Sequence, residues 1–204
     1  MWKINKNNNI PIVVMSMPRV GSNALGILLA SKTQRTFIGE TFNALTPEIH
    51  KKAIEKQILS YVQKPVVLNV HTHIMDKVWQ DHLDKFLCVA ISRKDRLSQF
   101  VSFLINETIP PGPTPTIRNQ LITSITPSTY STDEIIDRYK IFCEMEHTHK
   151  KWIQHCERHF YYEDVIDDFI PNATIITAKS PHYDQIKEHI SQTISTFLVD
   201  HNNS

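Results

Sequence analysis

Three apolar runs punctuate the first half of the chain: "IPIVVMS" (10–16), "PVVLNV" (65–70) and "FLCVAIS" (86–92). None alternates apolar with polar residues, the pattern of strands covered on both faces, as in a parallel sheet. Two weaker strand patterns follow, "HFYYE" (159–163) and "ATIITA" (173–178). Between them the apolar spacing becomes helical. Residues 47–63 open on Thr46 and Pro47, and carry Ile49, Ala53, Ile58 and Val62 on one side. In 94–106, Leu97, Phe100, Val101, Leu104 and Ile105 form a stripe at i, i+3, i+4, i+7 and i+8. "STDE" (131–134) is a capping box that opens a long helix reaching to about Glu157. A last helix is predicted over 183–198. Strands alternating with helices predict an α/β fold: a parallel sheet between helical layers, joined by right-handed crossovers.

The segment 107–131, "ETIPPGPTPTIRNQLITSITPSTYS", is rich in proline and reads as a loop or lid around a short apolar stretch. No internal repeat is visible, and 204 residues suit a single domain, 1–204. The formal net charge of +1 leaves no global footprint for nucleic acid, so any anion site is local. Three cysteines, Cys88, Cys143 and Cys156, form neither a disulfide framework nor a metal-type spacing. The apolar run near the N-terminus is too short to span a membrane and lacks signal-peptide character. A cytoplasmic protein without a membrane span is expected.

In such sheets ligands bind beyond the carboxyl ends of the strands. The first of these ends is "SMPRVGSNALG" (16–26), a turn that leads into a helix N-terminus. That geometry suits an anion, because backbone N–H groups and the helix dipole point at it. The phosphate-loop signature G-x-x-x-x-G-K-[ST] is absent. Instead the turn offers Arg19, a planar fork of donors, with Val20, Gly21, Ser22, Asn23 and Ala24 at the helix start. Taken alone, this turn reads equally as an anion loop or as a capped surface turn. A second strand end, "ISRKDRLSQFVSFL" (91–104), places Arg93, Lys94 and Arg96 before a helix that also carries Ser102. Cations oppose the dipole there, a local conflict that points to a second anionic group.

Together these stretches resemble the sulfotransferase family. "SMPRVGSNALGILLAS" is similar to that family's 5′-phosphosulfate loop, P-R-S-G-[ST]-[TN], with Val20 where serine is usual. "ISRKDRLSQFVSFL" resembles its 3′-phosphate motif, an arginine followed eight residues later by a serine. Arg93 lies nine residues before Ser102 and Lys94 eight, so either cation fits. "IGETFN" (38–43) resembles the G-E-P-F-N element of the bacterial trehalose-sulfotransferase-like branch, to which the R-K-D-R form of the second stretch is also closest. "YYEDVIDD" (161–168) resembles the Y-E-D-L segment near the family's C-terminal end. The resemblance implies a P-loop, nucleotide-kinase-like sulfotransferase fold. It implies 3′-phosphoadenosine 5′-phosphosulfate (PAPS, leaving PAP) as donor, a carbohydrate or small-molecule hydroxyl as acceptor, and no metal. Arg19 to Ala24 would hold the phosphosulfate, and Arg93, Lys94 and Ser102 the 3′-phosphate.

Transfer to a hydroxyl needs a base. Glu40 falls where the resembling branch has a glutamate in that role. In "LNVHTHIM" (68–75), His71 or His73 is the alternative, and Asn69 stands where many relatives have lysine. His71 and His73 form an H-x-H pair without a third ligand at zinc spacing. Trp152 matches a family tryptophan but also suits a core. Lys179 and Ser180 follow the last predicted strand. Two other readings remain open: a nucleotide-binding protein that has lost the chemistry, and a nucleotide-kinase-like phosphotransferase, which the missing loop lysine disfavours.

Overall fold

A computed structural model describes residues 9–40, 42, 51–110, 114–168 and 180–202. They divide into two compact units, one of Met1–Lys94 with Met145–Thr174 and one of Asp95–Glu144 with Ile175–Ser204.

The first unit holds every described strand. β1 (Ile12–Ser16), β2 (Thr36–Gly39), β3 (Val66–His71), β4 (Leu87–Ser92) and β5 (Arg158–Tyr161) make one all-parallel sheet in the order β2-β3-β1-β4-β5. β1 is central because all five of its residues are buried, which only a strand covered on both faces can accommodate. α1 (Ser22–Thr33) lies on the face of Val67 and Asn69, where Phe37 of β2 also points. There Gly26 permits the close approach of helix and strand: a Cβ on it would fall 2.3 Å from the Phe37 ring.

The opposite face is filled by Val13, Met15, Leu68, Val70 and Ala90. Against them pack Ile54 and Ile58 of α2 (Lys51–Tyr61) and Trp79 of α3 (Lys77–Gln80), with Phe42, Phe86 and Trp152. Phe42 and Trp79 meet edge to face at 4.8 Å. Trp152 is thus half-buried against this core. The expected α/β architecture, a parallel sheet flanked by helices on both faces, is the one observed.

The second unit is helical in its described residues: α4 (Arg96–Thr108), α5 (Pro115–Ser124), the first part of α6 (Thr132–Trp152) and α8 (Tyr183–Asn202). Phe100, Phe103 and Phe142 cluster with ring centroids 5.3 to 6.4 Å apart. α7 (Tyr162–Val165) follows β5 in the first unit.

Three boundaries differ from the sequence expectations. β2 carries only "TFIG", too short and too mixed to register as a strand, and is set by its pairing with β3. Within 107–131, residues Pro115–Ser124 form a helix where a loop is expected. Thr114 accepts a hydrogen bond from the Ile117 amide, Pro115 starts α5, and Ile122, Ile125 and Tyr130 are buried. Pro115 stands at the helix N-terminus, where the missing N–H is no loss, and Pro127 opens a 3₁₀ turn. The long helix stops at Trp152, and residues 153–155 tighten into a 3₁₀ turn ahead of β5. The expected strand 173–178, the Thr46–Pro47 helix start, Thr41 and Asn43 of "IGETFN", and Lys179 lie outside the described residues. Among the described residues no helix is long and apolar enough to cross a membrane.

Candidate functional site

The register aligns the carboxyl ends of three strands. Ser16 of β1 pairs with His71 of β3 on one side and with Ile91 of β4 on the other. The connection leaving β1 goes to α1 on one face, whereas the one leaving β3 leads to α3 on the other. This divergence is a topological switch point, where α/β sheets open a crevice.

The turn after β1 is built by two left-handed residues, Arg19 at φ 65° and Gly21 at φ 82°. Glycine adopts this conformation without cost; an arginine there is uncommon. Met17 and Val20 are buried and anchor the turn from below. The Val20 side chain therefore belongs to the core. Gly21 is the N-cap of α1 and, lacking a side chain, caps none of the first-turn amides. The amides of Ser22, Asn23 and Ala24 are accordingly suited to an external acceptor.

Around this helix start sits one hydrogen-bonded network centred on Asn69, a residue with no exposed surface. Its Oδ1 accepts from Ser16 Oγ (3.3 Å). Its Nδ2 donates to Ser22 Oγ (2.8 Å) and Asn23 Oδ1 (2.9 Å), and reaches Glu40 Oε1 at 3.4 Å. Asn23 Nδ2 donates to the same Glu40 oxygen at 3.1 Å. His71 Nε2 lies 3.6 Å from it. Both ends of the Asn23 side chain are thus engaged within the network, and its backbone N–H is what it offers an anion. Ser22, which accepts from Asn69, keeps its hydroxyl proton to donate.

Glu40 and His71 come together although 31 positions separate them in the chain. The Glu40 side chain is 34% exposed and that of His71 14%. Burial lowers the His71 pKa to about 4 against the opposing pull of Glu40, and the charges of His73 and Arg19 add to the lowering. His71 is therefore neutral at pH 7. Its ring stacks on that of His73 with centroids 5.6 Å apart.

The second predicted cluster has company the sequence did not foretell. Arg93 Nε lies 3.6 Å from Glu163 Oε1, and its guanidinium rests over the Tyr162 ring at 5.0 Å. The Lys94 amide donates to Glu163 Oε2 (2.9 Å), and Lys94 Nζ pairs with Asp164. That hydrogen bond raises the Lys94 pKa. The "YED" segment thus supplies two carboxylates to the two cations, brought beside them by the pairing of Ser92 with Tyr161. The unfavourable placement of cations ahead of a helix is offset by these neighbours. Ser102 is half-buried on α4, in the second unit. Ser180 is buried there too, donating to the Ile125 carbonyl at 3.1 Å and accepting from the His182 amide, a structural use.

In the sequence Asn69 reads only as a replaced lysine, not as the hub of a network. The available signal was an amide inside the otherwise apolar run "PVVLNV", since a buried polar group requires partners. Comparison with protein-family models and with curated proteins gives no match to this chain.

Proposed function

We propose that the chain is a sulfotransferase that moves a sulfuryl group from PAPS to a hydroxyl of a carbohydrate or other small acceptor. The observation that carries this reading is a meeting at one strand end. An arginine-bearing turn and a helix N-terminus without a side-chain cap adjoin the Glu40–His71 pair. The donor set suits the phosphosulfate end of the donor: backbone amides, a hydroxyl donor and a guanidinium, with no carboxylate cluster for magnesium in the loop.

When bound, the donor would supply an activated sulfuryl group whose transfer depends on in-line placement and neutralised oxygen charge. The amides of residues 22–24, the Ser22 hydroxyl and Arg19 would hold the 5′ anion and offset charge on the departing oxygen. Glu40 would take the acceptor hydroxyl's proton. It is the more exposed of the two candidates, and donors from Asn23 and Asn69 converge on its Oε1. His71, held neutral with a pKa near 4, is a weak base and would position Glu40.

A second reading, nucleotide binding without transfer, draws on the acidic partners of Arg93 and Lys94 and on asparagine in the lysine position. Calorimetry with PAP and with ATP plus magnesium separates these readings from a kinase. Binding of PAP alone is expected, and magnesium-dependent ATP binding would overturn both. Glu40→Gln should abolish PAPS consumption with a panel of acceptors while leaving PAP affinity unchanged. Wild-type PAP binding without consumption of PAPS across that panel favours the second reading.

A further inference from the structure

Beneath the strand ends runs a chain of side chains that the proposed chemistry does not use. His149, on the C-terminal part of α6 in the first unit, is 3% exposed. Its Nδ1 lies 3.2 Å from Thr72 Oγ1, and its Nε2 lies 2.9 Å from Ser92 Oγ. Thr72 Oγ1 is 3.3 Å from the Ser16 carbonyl, and Ser92 Oγ is 2.7 Å from Nε2 of exposed His159.

The direction of this chain follows from counting protons on an imidazole that burial holds neutral. A carbonyl can only accept, so the Thr72 hydroxyl donates to Ser16. Having one proton, Thr72 must then accept from His149 Nδ1–H. A neutral imidazole with its proton on Nδ1 accepts at Nε2, so Ser92 donates to His149 and accepts from His159 Nε2–H. All four bonds are satisfied. Reversing the chain satisfies three and leaves the Ser16 carbonyl without the Thr72 donor, which costs free energy at a fully buried residue.

We propose that His149 is a positioning residue: as the neutral Nδ1–H tautomer it ties together the residues from which the three ligand-facing segments depart. Ser16 ends β1 ahead of the Arg19 turn, Thr72 follows His71, and Ser92 ends β4 ahead of Arg93 and Lys94. One imidazole thus holds the three segments in common register. The consequence for ligand binding rests on the proposed PAP site, whereas the tautomer does not.

The test uses the full chain labelled with ¹⁵N. Long-range ¹H–¹⁵N spectra at pH 7 should show His149 protonated at Nδ1 only, the less common form in free imidazole. An Nε2–H or doubly protonated ring would overturn the assignment. In Ser92→Ala, which removes the donor to Nε2, the Nδ1–H preference should weaken, and PAP should bind roughly tenfold more weakly. In His149→Phe the loss should be at least as large. His149→Gln, whose amide oxygen can accept from Ser92, should recover part of it. Wild-type PAP binding with undiminished binding by Ser92→Ala would refute the positioning role and leave the functional reading intact. Absence of wild-type PAP binding would refute the functional reading, with His149 then judged by its tautomer in wild type and Ser92→Ala. Should His149→Phe fail to fold, the spectra of those two chains still decide.

Discussion

Asn69 concentrates at one residue what the network requires: a side chain small enough for a sheet covered on both faces, with an acceptor at one end and donors at the other. Its Nδ2 lies 2.9 Å from Asn23 Oδ1 and 3.4 Å from Glu40 Oε1, so a carboxylate there would oppose two oxygens. Asn69→Asp, isosteric but negatively charged, should destabilise the fold by about 3 kcal/mol at pH 7, because it buries a charge against another. Chemical denaturation should show part of that loss recovered as the pH falls and the new carboxyl protonates. Equal stability of the two chains at pH 7 would contradict the network. The side chains of Arg93 and Lys94 teach a related lesson. Their charge was legible in the sequence; the Glu163 and Asp164 carboxylates opposite them, about seventy positions away, were not, because strand pairing alone brings the two stretches together.

At the scale of elements, caps explain where helices start. Asp95 is the N-cap of α4: its carboxylate accepts from the Ser98 amide (2.9 Å) and the Ser98 hydroxyl (2.6 Å). Lys187 of α8, in the same unit, reaches both Asp95 and Ser98, at 3.1 and 2.7 Å. Burial pushes the Asp95 carboxyl upward, but the hydrogen bonds from Ser98 and the charge of Lys187 outweigh it and hold the pKa near 2. Asp95→Ala should lower stability by about 1–2 kcal/mol. A thermal melt checks this, and the loss should be smaller in Asp95→Asn, which keeps an acceptor. The helix over 115–124 shows how such local signals can mislead. Proline density reads as loop, yet Thr114 caps a helix that Pro115 starts and whose Ile122 is buried. The stripe at 97–105 raised no such conflict, and α4 occupies it almost residue for residue.

Across the whole molecule, buried His149 and half-buried His71 make stability depend on pH. Burial lowers His71 and His149 to about 4, the former also through His73 and Arg19 and the latter also through His159. In the unfolded chain both titrate near 6.5. Above that pH neither state binds the protons. As the pH falls from 6.5 to 4 the unfolded chain takes them up first, so stability is lost across this window. For His149 alone the loss is on the order of 3 kcal/mol. Denaturation midpoints between pH 7 and pH 4 should fall less steeply in His149→Gln than in the wild-type chain. Parallel slopes would show that His149 is not held neutral.

The sequence by itself determined the class of fold. Three apolar runs without alternation fit strands covered on both sides, and the helical stripes between them supply the cover. It also marked where along the chain the candidate ligand contacts lie, because a strand end followed by a helix start is a local pattern. The tertiary structure decided which of these stretches meet. The strand order, with β1 between β3 and β4, carries Asn69 and His71 to the loop of Arg19, and β5 to the side of β4. It brings Glu40 within reach of Asn23 and links Thr72, Ser92, His149 and His159 into one chain of hydrogen bonds. Local sequence dictates local conformation through sterics and burial. The partners of a buried polar group come from distant segments, and only the packed sheet selects them.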